Sequence, residues 1–380
     1  MTVRARSGPD RFLVDLGMLG RNHKGVGRVL AELGSRLARD DRVRLACTAA
    51  ALDHLAGIDR SCISVLPATP QSIWEQVVLP AAARRVGAGA VYSHMEGGAL
   101  WGPPLVLHVP EDPEVRWSRE PAITRRERAR RRYSRALLDR SLARARVVAS
   151  TRATAADLHR NHGVPLAAIT VVPLGVDLDR FSPGPGSGEQ HRAPAFFHLA
   201  SPDPRDRSEL VIDAFAALVE ARSEPVRLVV GGDLGGRRPT LAGRAAALGV
   251  GDLVTLTGRL TDVALADAYR SAVATIHASP DEGFGLQPLE AMACGTLVIS
   301  TPADAVAEVV GDGAVVWSEP DRGALAAALG QAIDDRALRQ RARQVNPTIA
   351  ASFTWERTAH AILALLEEEA RRLPGQPRDR

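Results

Sequence analysis

Short apolar runs alternate with stretches whose apolar residues recur every three to four positions, and this alternation is played out twice along the 380 residues. In the first half the strand-like runs are Phe12–Leu16, Val43–Cys47, Ile63–Leu66, Ala90–Tyr92, Leu105–His108, Val147–Ser150 and Ile169–Val172. Most lead into a turn and then a helix-period segment, the pattern of a parallel sheet with helical crossovers. Residues 183–194, dense in Pro, Gly and Ser, predict a linker. The alternation restarts with strands Phe196–Leu199, Arg227–Val230, Leu253–Leu256, Val273–Ala278, Leu297–Thr301 and Ala314–Trp317. Helices are expected between them near Glu209–Ala221, Leu265–Ala272 and Pro288–Cys294, and beyond them at Asp321–Asp334. The fold class is therefore α/β: two facing, doubly wound, Rossmann-like domains, 1–182 and 195–352, followed by a closing helix and tail, 353–380. That last helix, Trp355 to about Arg372, is amphipathic and can pack back on the first domain. Ligands of such sheets bind at the carboxyl ends of the strands, so chemistry is to be sought in a cleft between the domains.

Composition narrows the class. With 45% hydrophobic and 24% charged residues the chain reads as a globular protein of the aqueous phase. No apolar run reaches the ~18 residues that span a bilayer, and MTVRARSGPD leads into a strand, not a signal-type stretch, so a cytoplasmic location is expected. Cys47, Cys62 and Cys294 are odd in number and far apart, which encodes neither a disulfide framework nor a zinc site. No metal and no resident cofactor are expected. The formal charge is only +4, and Lys24 is the only lysine among many arginines, a bias that fits a GC-rich coding sequence.

Charge concentrates in Arg116–Arg146, where Ala129, Tyr133, Leu137, Leu138 and Leu142 keep helical spacing and leave the arginines on the outer face. A solvated helix face is the plain reading, and peripheral contact with an anionic inner membrane surface is the functional one. Nucleic acid is disfavoured, because no aromatic residue other than Tyr133 interleaves with the arginines of 125–146.

The chemistry is concentrated in SPDEGFGLQPLEAMACGTLVIS, Ser279–Ser300. Gly283 and Gly285 let the backbone of a turn approach a ligand closely, with Glu282 beside them. Pro288 occupies the place favoured at the first residue of a helix, which puts Glu290 in the first helical turn, where its charge complements the helix dipole. Free amides from Phe284 and Leu286 to Gln287 can donate to an anion or to sugar hydroxyls. Carboxylates accept strongly from vicinal hydroxyls, so a polyhydroxylated ligand would satisfy both glutamates. Further upstream, Gly20, Gly25 and Gly27 follow the first strand and precede a helix with Val26, Val29, Leu30, Leu33 and Leu37 on one face. Such a loop presents amides to a phosphate.

EGFGLQPLEAMACGTLVIS closely resembles the glutamate-x7-glutamate signature of the retaining glycosyltransferases of family 4, which have the two-domain GT-B fold. KGVGRVLAEL, WEQVVLP, VLHVPEDP, VVPLGVDLDRFSP, TGRLTDVALADAYRSA and FTWERTAHAIL extend the resemblance over most of the chain. It implies transfer of a sugar from a nucleoside diphosphate sugar to an acceptor hydroxyl, with Glu282 on the donor sugar, Glu290 on the ribose, and Gly25 and Gly27 near the diphosphate. It also implies a histidine, His108, beside the reacting sugar. The aspartate usual after that histidine is missing, and Glu111 or Asp112 is expected to substitute; His94 and Glu96 are weaker acceptor-side candidates. The arginine and lysine that normally neutralise the diphosphate correspond to Ser201 and Asp206, so Arg205, Arg207 and Arg259 are expected to supply the charge. The acceptor class is open: a bacterial envelope glycan, a lipid-linked or a natural-product hydroxyl. Rival readings are a binding or scaffold protein of the same fold that has lost catalysis, and a phosphorylase or pseudo-glycosidic coupling enzyme.

Overall fold

The computed structural model describes residues 11–20, 25–119, 124–184 and 194–372. The linker expected at 183–194 lies mostly outside them, as does Lys24. The chain divides into two compact units, Met1–Gly175 with Trp355–Arg380, and Val176–Thr354.

The first unit is built on seven strands: β1 (Arg11–Asp15), β2 (Val43–Cys47), β3 (Ile63–Val65), β4 (Ala88–His94), β5 (Leu105–Val109), β6 (Arg146–Ala149) and β7 (Ile169–Val171). They lie in the order β3-β2-β1-β4-β5-β6-β7 and every pairing is parallel. Leu13, Val91, Leu105 and Leu107 form part of the core, each nearly or fully buried. The closing helix Trp355–Arg371 belongs to this unit, as its apolar stripe allows. Trp355, Ile362 and Leu366 are buried along it, and Thr358 Oγ1 donates to the Pro173 carbonyl at 2.8 Å. Arg36 pairs with Glu356 at 2.8 Å and Arg42 with Glu367 at 2.7 Å, which sets the helix against Gly25–Leu37 and β2.

The second unit repeats the plan with β8 (Ala195–Leu199), β9 (Arg227–Gly231), β10 (Val254–Gly258), β11 (Ala274–His277), β12 (Leu297–Ser300) and β13 (Val315–Trp317). Their order is β10-β9-β8-β11-β12-β13, again all parallel. Phe196, Leu228, Val230, Ile276 and Ile299, which the register sets on one face of the sheet, are buried in the core of this unit. In each sheet the order reverses once, between β1 and β4 and between β8 and β11. Loops leaving the carboxyl ends of such strands diverge at a reversal, which is the usual ligand position in an open parallel sheet.

Candidate functional site

In the second unit, β11 ends on His277 and the chain enters the turn 278–285. Thr301 Oγ1 holds the turn through the Ser279 carbonyl at 3.2 Å, and Ser279 Oγ donates to the Asp281 carbonyl at 2.9 Å. Gly285 then takes φ 95°, a left-handed conformation in which an L side chain is strained, and an added Cβ would lie 3.1 Å from Val306 Cγ2. The helix Leu286–Ala293 starts at once, with no side chain capping its first turn. The amides of Leu286 and Gln287 therefore stand before the first intrahelical bond and are free for an anion. Pro288 is the third helical residue and not the first, which moves Glu290 into the second turn and removes the dipole argument for it.

Glu282 and Glu290 have different surroundings. Glu282 keeps 32% of its side chain exposed, and His277 Nε2 lies 3.5 Å from its Oε1. Burial pushes the Glu282 carboxyl up to about 7, opposed by Arg205 and Ser279 and helped by Asp281 and Asp203. Burial pushes His277 down to about 4, so it is neutral at physiological pH. Glu290 is buried and accepts from the Tyr269 hydroxyl at 3.3 Å. Gly283 and Phe284 are buried in the turn, the latter edge-on to Phe353 with ring centroids 5.8 Å apart.

The loop after β8 runs beside this turn, and it corrects the charge expected there. Asp206 is not a bare carboxylate: it accepts from the Ser201 amide at 2.6 Å, the Ser208 amide at 3.0 Å and the Ser208 hydroxyl at 2.8 Å. Arg237, which the sequence reading passed over, reaches it at 2.9 Å from the turn after β9. Burial disfavours the Arg237 charge, but Asp206 and Glu209 outweigh it and hold the guanidinium pKa above its ordinary value. Arg205 is forked onto Asp203 at 3.0 Å, so it is not a free diphosphate cation. Arg259 is paired with Asp233 at 2.9 Å on an exposed edge. Arg207 sits at φ 51°, the only non-glycine among the described residues with positive φ, and starts the helix Ser208–Glu220. Ser208 Oγ also lies 3.1 Å from Nε2 of the buried His198.

In the first unit buried polar groups cluster where the strand order reverses between β1 and β4. Asp15 ends β1 and accepts from the Gly17 amide, Trp74 Nε1 and Ser93 Oγ, each at 2.9 Å. Glu75, in a π-helical turn at Trp74–Val78, is 4% exposed, and burial raises its carboxyl to about 7. Neither acid was singled out from the sequence, although Asp15 stands at the end of the first predicted strand.

Three expectations fail here. His108 is fully buried, with Tyr92 OH 3.0 Å from Nδ1 and Ser150 Oγ 2.9 Å from Nε2, so neither ring nitrogen is left for a substrate. Asp112 is 2% exposed and accepts from Asn161 at 2.8 Å, from the Glu114 amide at 2.9 Å and across 3.0 Å from His162. It staples the helix Arg152–His162 and is not available to replace a missing aspartate. Gly25 and Gly27 belong to the helix Gly25–Leu37 itself instead of preceding it, and residues 21–24 lie outside the described residues.

Among the weaker candidates, His94 is 1% exposed, packs edge-on to His108 at 4.6 Å and leaves Nε2 without a partner. Glu96 is held by Arg116 at 3.2 Å, and Glu111 is half-buried with a partner of its own. Among the described residues no group of three or more His, Cys, Asp or Glu is placed to hold a metal ion, and no helix is long and apolar enough to cross a membrane.

Comparison with known proteins bears on the family and the fold. Residues 186–349 match the family described as Glycosyl transferases group 1, and residues 23–180 that described as Glycosyltransferase Family 4. A D-inositol 3-phosphate glycosyltransferase of Paenarthrobacter aurescens is 30% identical over 302 residues, 73% of this chain and 72% of that protein. One of the same name from Actinosynnema mirum is 35% identical over 244 residues, 58% of this chain and 56% of the relative. The chain spans little more than half the length of several such relatives. Among solved structures, HepE of Anabaena in complex with UDP and glucose superposes with a TM-score of 0.73 at 19% identity, covering 94% of this chain and 99% of that one. The architecture is that of the GT-B fold.

Proposed function

We propose, for a chain that belongs to the group 1, family 4 glycosyltransferases, that it takes a sugar from a nucleoside diphosphate sugar and passes it to an acceptor hydroxyl with retention of anomeric configuration. The observation that carries this reading is the turn 278–285 with its uncapped helix. It sets a partly exposed carboxylate, Glu282, and free amides side by side at the point where the second sheet reverses. A sugar hydroxyl suits the first and a phosphate oxygen the second. The UDP seen in the Anabaena structure supports a nucleotide donor of this kind.

In the reaction the bond from the anomeric carbon to the phosphate oxygen breaks, and its electron pair stays on the diphosphate. The acceptor oxygen bonds to the same face of the sugar, and its proton passes to the departing phosphate oxygen. Glu282 holds donor hydroxyls as charge develops on the ring, the Leu286 and Gln287 amides and Arg207 meet the leaving group, and Glu290 faces the ribose from its helix. No metal ion is required, since amides and arginine supply the positive field.

The experiment is a titration of the purified protein with UDP, GDP, ADP and dTDP, followed by turnover of the matching sugar donors. D-inositol 3-phosphate, named in the relatives' activity, is the first acceptor to try. Micromolar to millimolar binding of one diphosphate and formation of a glycosidic product are expected. A protein that binds none of them is a scaffold of the same fold, and transfer from a sugar 1-phosphate with release of inorganic phosphate, in place of transfer from a nucleoside diphosphate sugar, would make it a phosphorylase.

The helix Arg125–Arg144 extends the reading to location. Arg125, Arg126, Arg128, Arg130 and Arg132 are exposed on it, with Tyr133 58% exposed among them. Contact with anionic lipid follows from that charge. Co-sedimentation with vesicles containing phosphatidylglycerol is expected to exceed that with neutral vesicles and to fall with added salt; equal binding to both removes the idea.

A further inference from the structure

The geometry points to Arg237 as a positioning residue for the donor diphosphate, acting by holding the charge of Asp206 out of the site. The inference rests on the donor reading above and deepens it.

Asp206 closes the loop after β8. One carboxylate ties the Ser201 amide at the start of that loop to the Ser208 amide and hydroxyl at the start of the next helix. The tie uses both carboxylate oxygens, one for each backbone amide, and it brings a negative charge to a place meant for phosphates. The chain answers it from another element. Arg237 leaves the glycine-rich turn after β9, where Gly232 and Gly235 have φ 105° and 52°. Its Nη1 reaches Asp206 Oδ1 at 2.9 Å and Oδ2 at 3.0 Å, and the Ser201 and Asp203 carbonyls at 2.8 and 3.0 Å. Nη2 donates to Glu209 at 2.7 Å. Asp206 and Arg237 keep only 11% and 15% of their side chains exposed, so the pair is enclosed and weakly screened by solvent.

Asp203 is covered in the same way by Arg205. With both acids of the loop matched, Arg207 is its one arginine outside any ion pair among the described residues. The positive field of the loop then depends on Arg237 keeping its partner neutralised, although Arg237 itself need not touch the donor.

Three variants separate this role from a structural one. In Arg237→Gln the Asp206 charge is uncovered, and affinity for the diphosphate that the wild type binds should fall at least about tenfold, with part of the loss recovered in high salt. In Asp206→Asn the amide oxygen keeps the Ser208 amide and hydroxyl, the Ser201 amide loses its acceptor and Arg237 is left cationic; loss of the negative charge outweighs that one bond, so affinity should equal or exceed that of the wild type. The double variant should return to within a few-fold of the wild type. Melting curves identify any variant that has not folded, and Arg237→Lys, which keeps the charge, then takes the place of Arg237→Gln with the expectation reversed to near-normal binding. If Asp206→Asn weakens binding and the double variant is the weakest, the pair is merely a brace and the inference is overturned. Unchanged affinity in Arg237→Gln overturns it too. A wild type that binds none of UDP, GDP, ADP and dTDP overturns the donor reading itself, whereas binding with the wrong pattern of variants overturns only the role of Arg237.

Discussion

Glu282→Ala lowers the rate of sugar transfer by about two to three orders of magnitude, the scale of losing one preorganised group that strengthens its contact in the transition state. Stability is not expected to fall with it. The side chain is a third exposed, and burial already holds its carboxyl up to about 7, so the folded protein gains nothing from keeping it ionised. The same perturbation sets a pH dependence. Glu282 accepts from sugar hydroxyls best as the carboxylate, so kcat/KM should rise through about 7, and Glu282→Gln should lose that limb of the profile while folding normally. Neutral His277, 3.5 Å away, cannot replace the missing charge. Donor turnover measured from about pH 5.5 to 8.5 checks both statements. Near-normal turnover in the alanine variant would remove Glu282 from the site.

The second large effect is on stability. Asp15→Ala removes the common acceptor of three buried donors, the Gly17 amide, Trp74 Nε1 and Ser93 Oγ, and should cost about 3 kcal/mol or more. Asp15→Asn behaves otherwise. Its carbonyl oxygen can take both the Gly17 amide and the indole, and its amide can donate to Ser93 once that hydroxyl turns. Burial raises the Asp15 pKa in the folded chain, against the lowering by those three bonds. A carboxyl raised on folding binds its proton more tightly in the native state. Its contribution to stability is therefore lost as pH rises from the ordinary aspartate value to the folded one. The asparagine variant, with no charge to bury, should gain stability relative to the wild type across that window. Urea melts of the three proteins at about pH 4 and pH 7 decide it, and an asparagine variant as unstable as the alanine one would show that the charge itself is needed.

Much of this molecule could be read before folding. Every strand of both sheets was placed within a few residues, because a strand buried on both faces is a short apolar run between turns. The stop of the helix Leu286–Ala293 at Gly295 was equally legible. Its start was not. Pro288 looked like a first helical residue, but Gly285 at φ 95° begins the helix two residues before it.

Side-chain roles fared unevenly for a physical reason. His108 and Asp112 were expected at the site because the family resemblance places a histidine, and an acid after it, beside the reacting sugar. Whether a polar group faces a ligand or is consumed by neighbours depends on partners far away in sequence. Ser150 lies 42 positions from His108 and Asn161 lies 49 from Asp112, and those contacts consume both groups. The same holds, in the opposite sense, for Asp206. Read locally it was a charge out of place, and only the fold brings Arg237, 31 positions later, onto it.

By itself, then, the sequence determined the strands of two parallel sheets and the turn that carries Glu282, all of which follow from local periodicity and from glycine. The tertiary structure decided which charges are free. Electrostatic balance is a sum over neighbours, and neighbours at a strand's carboxyl end come from loops that the chain reaches only after it has folded.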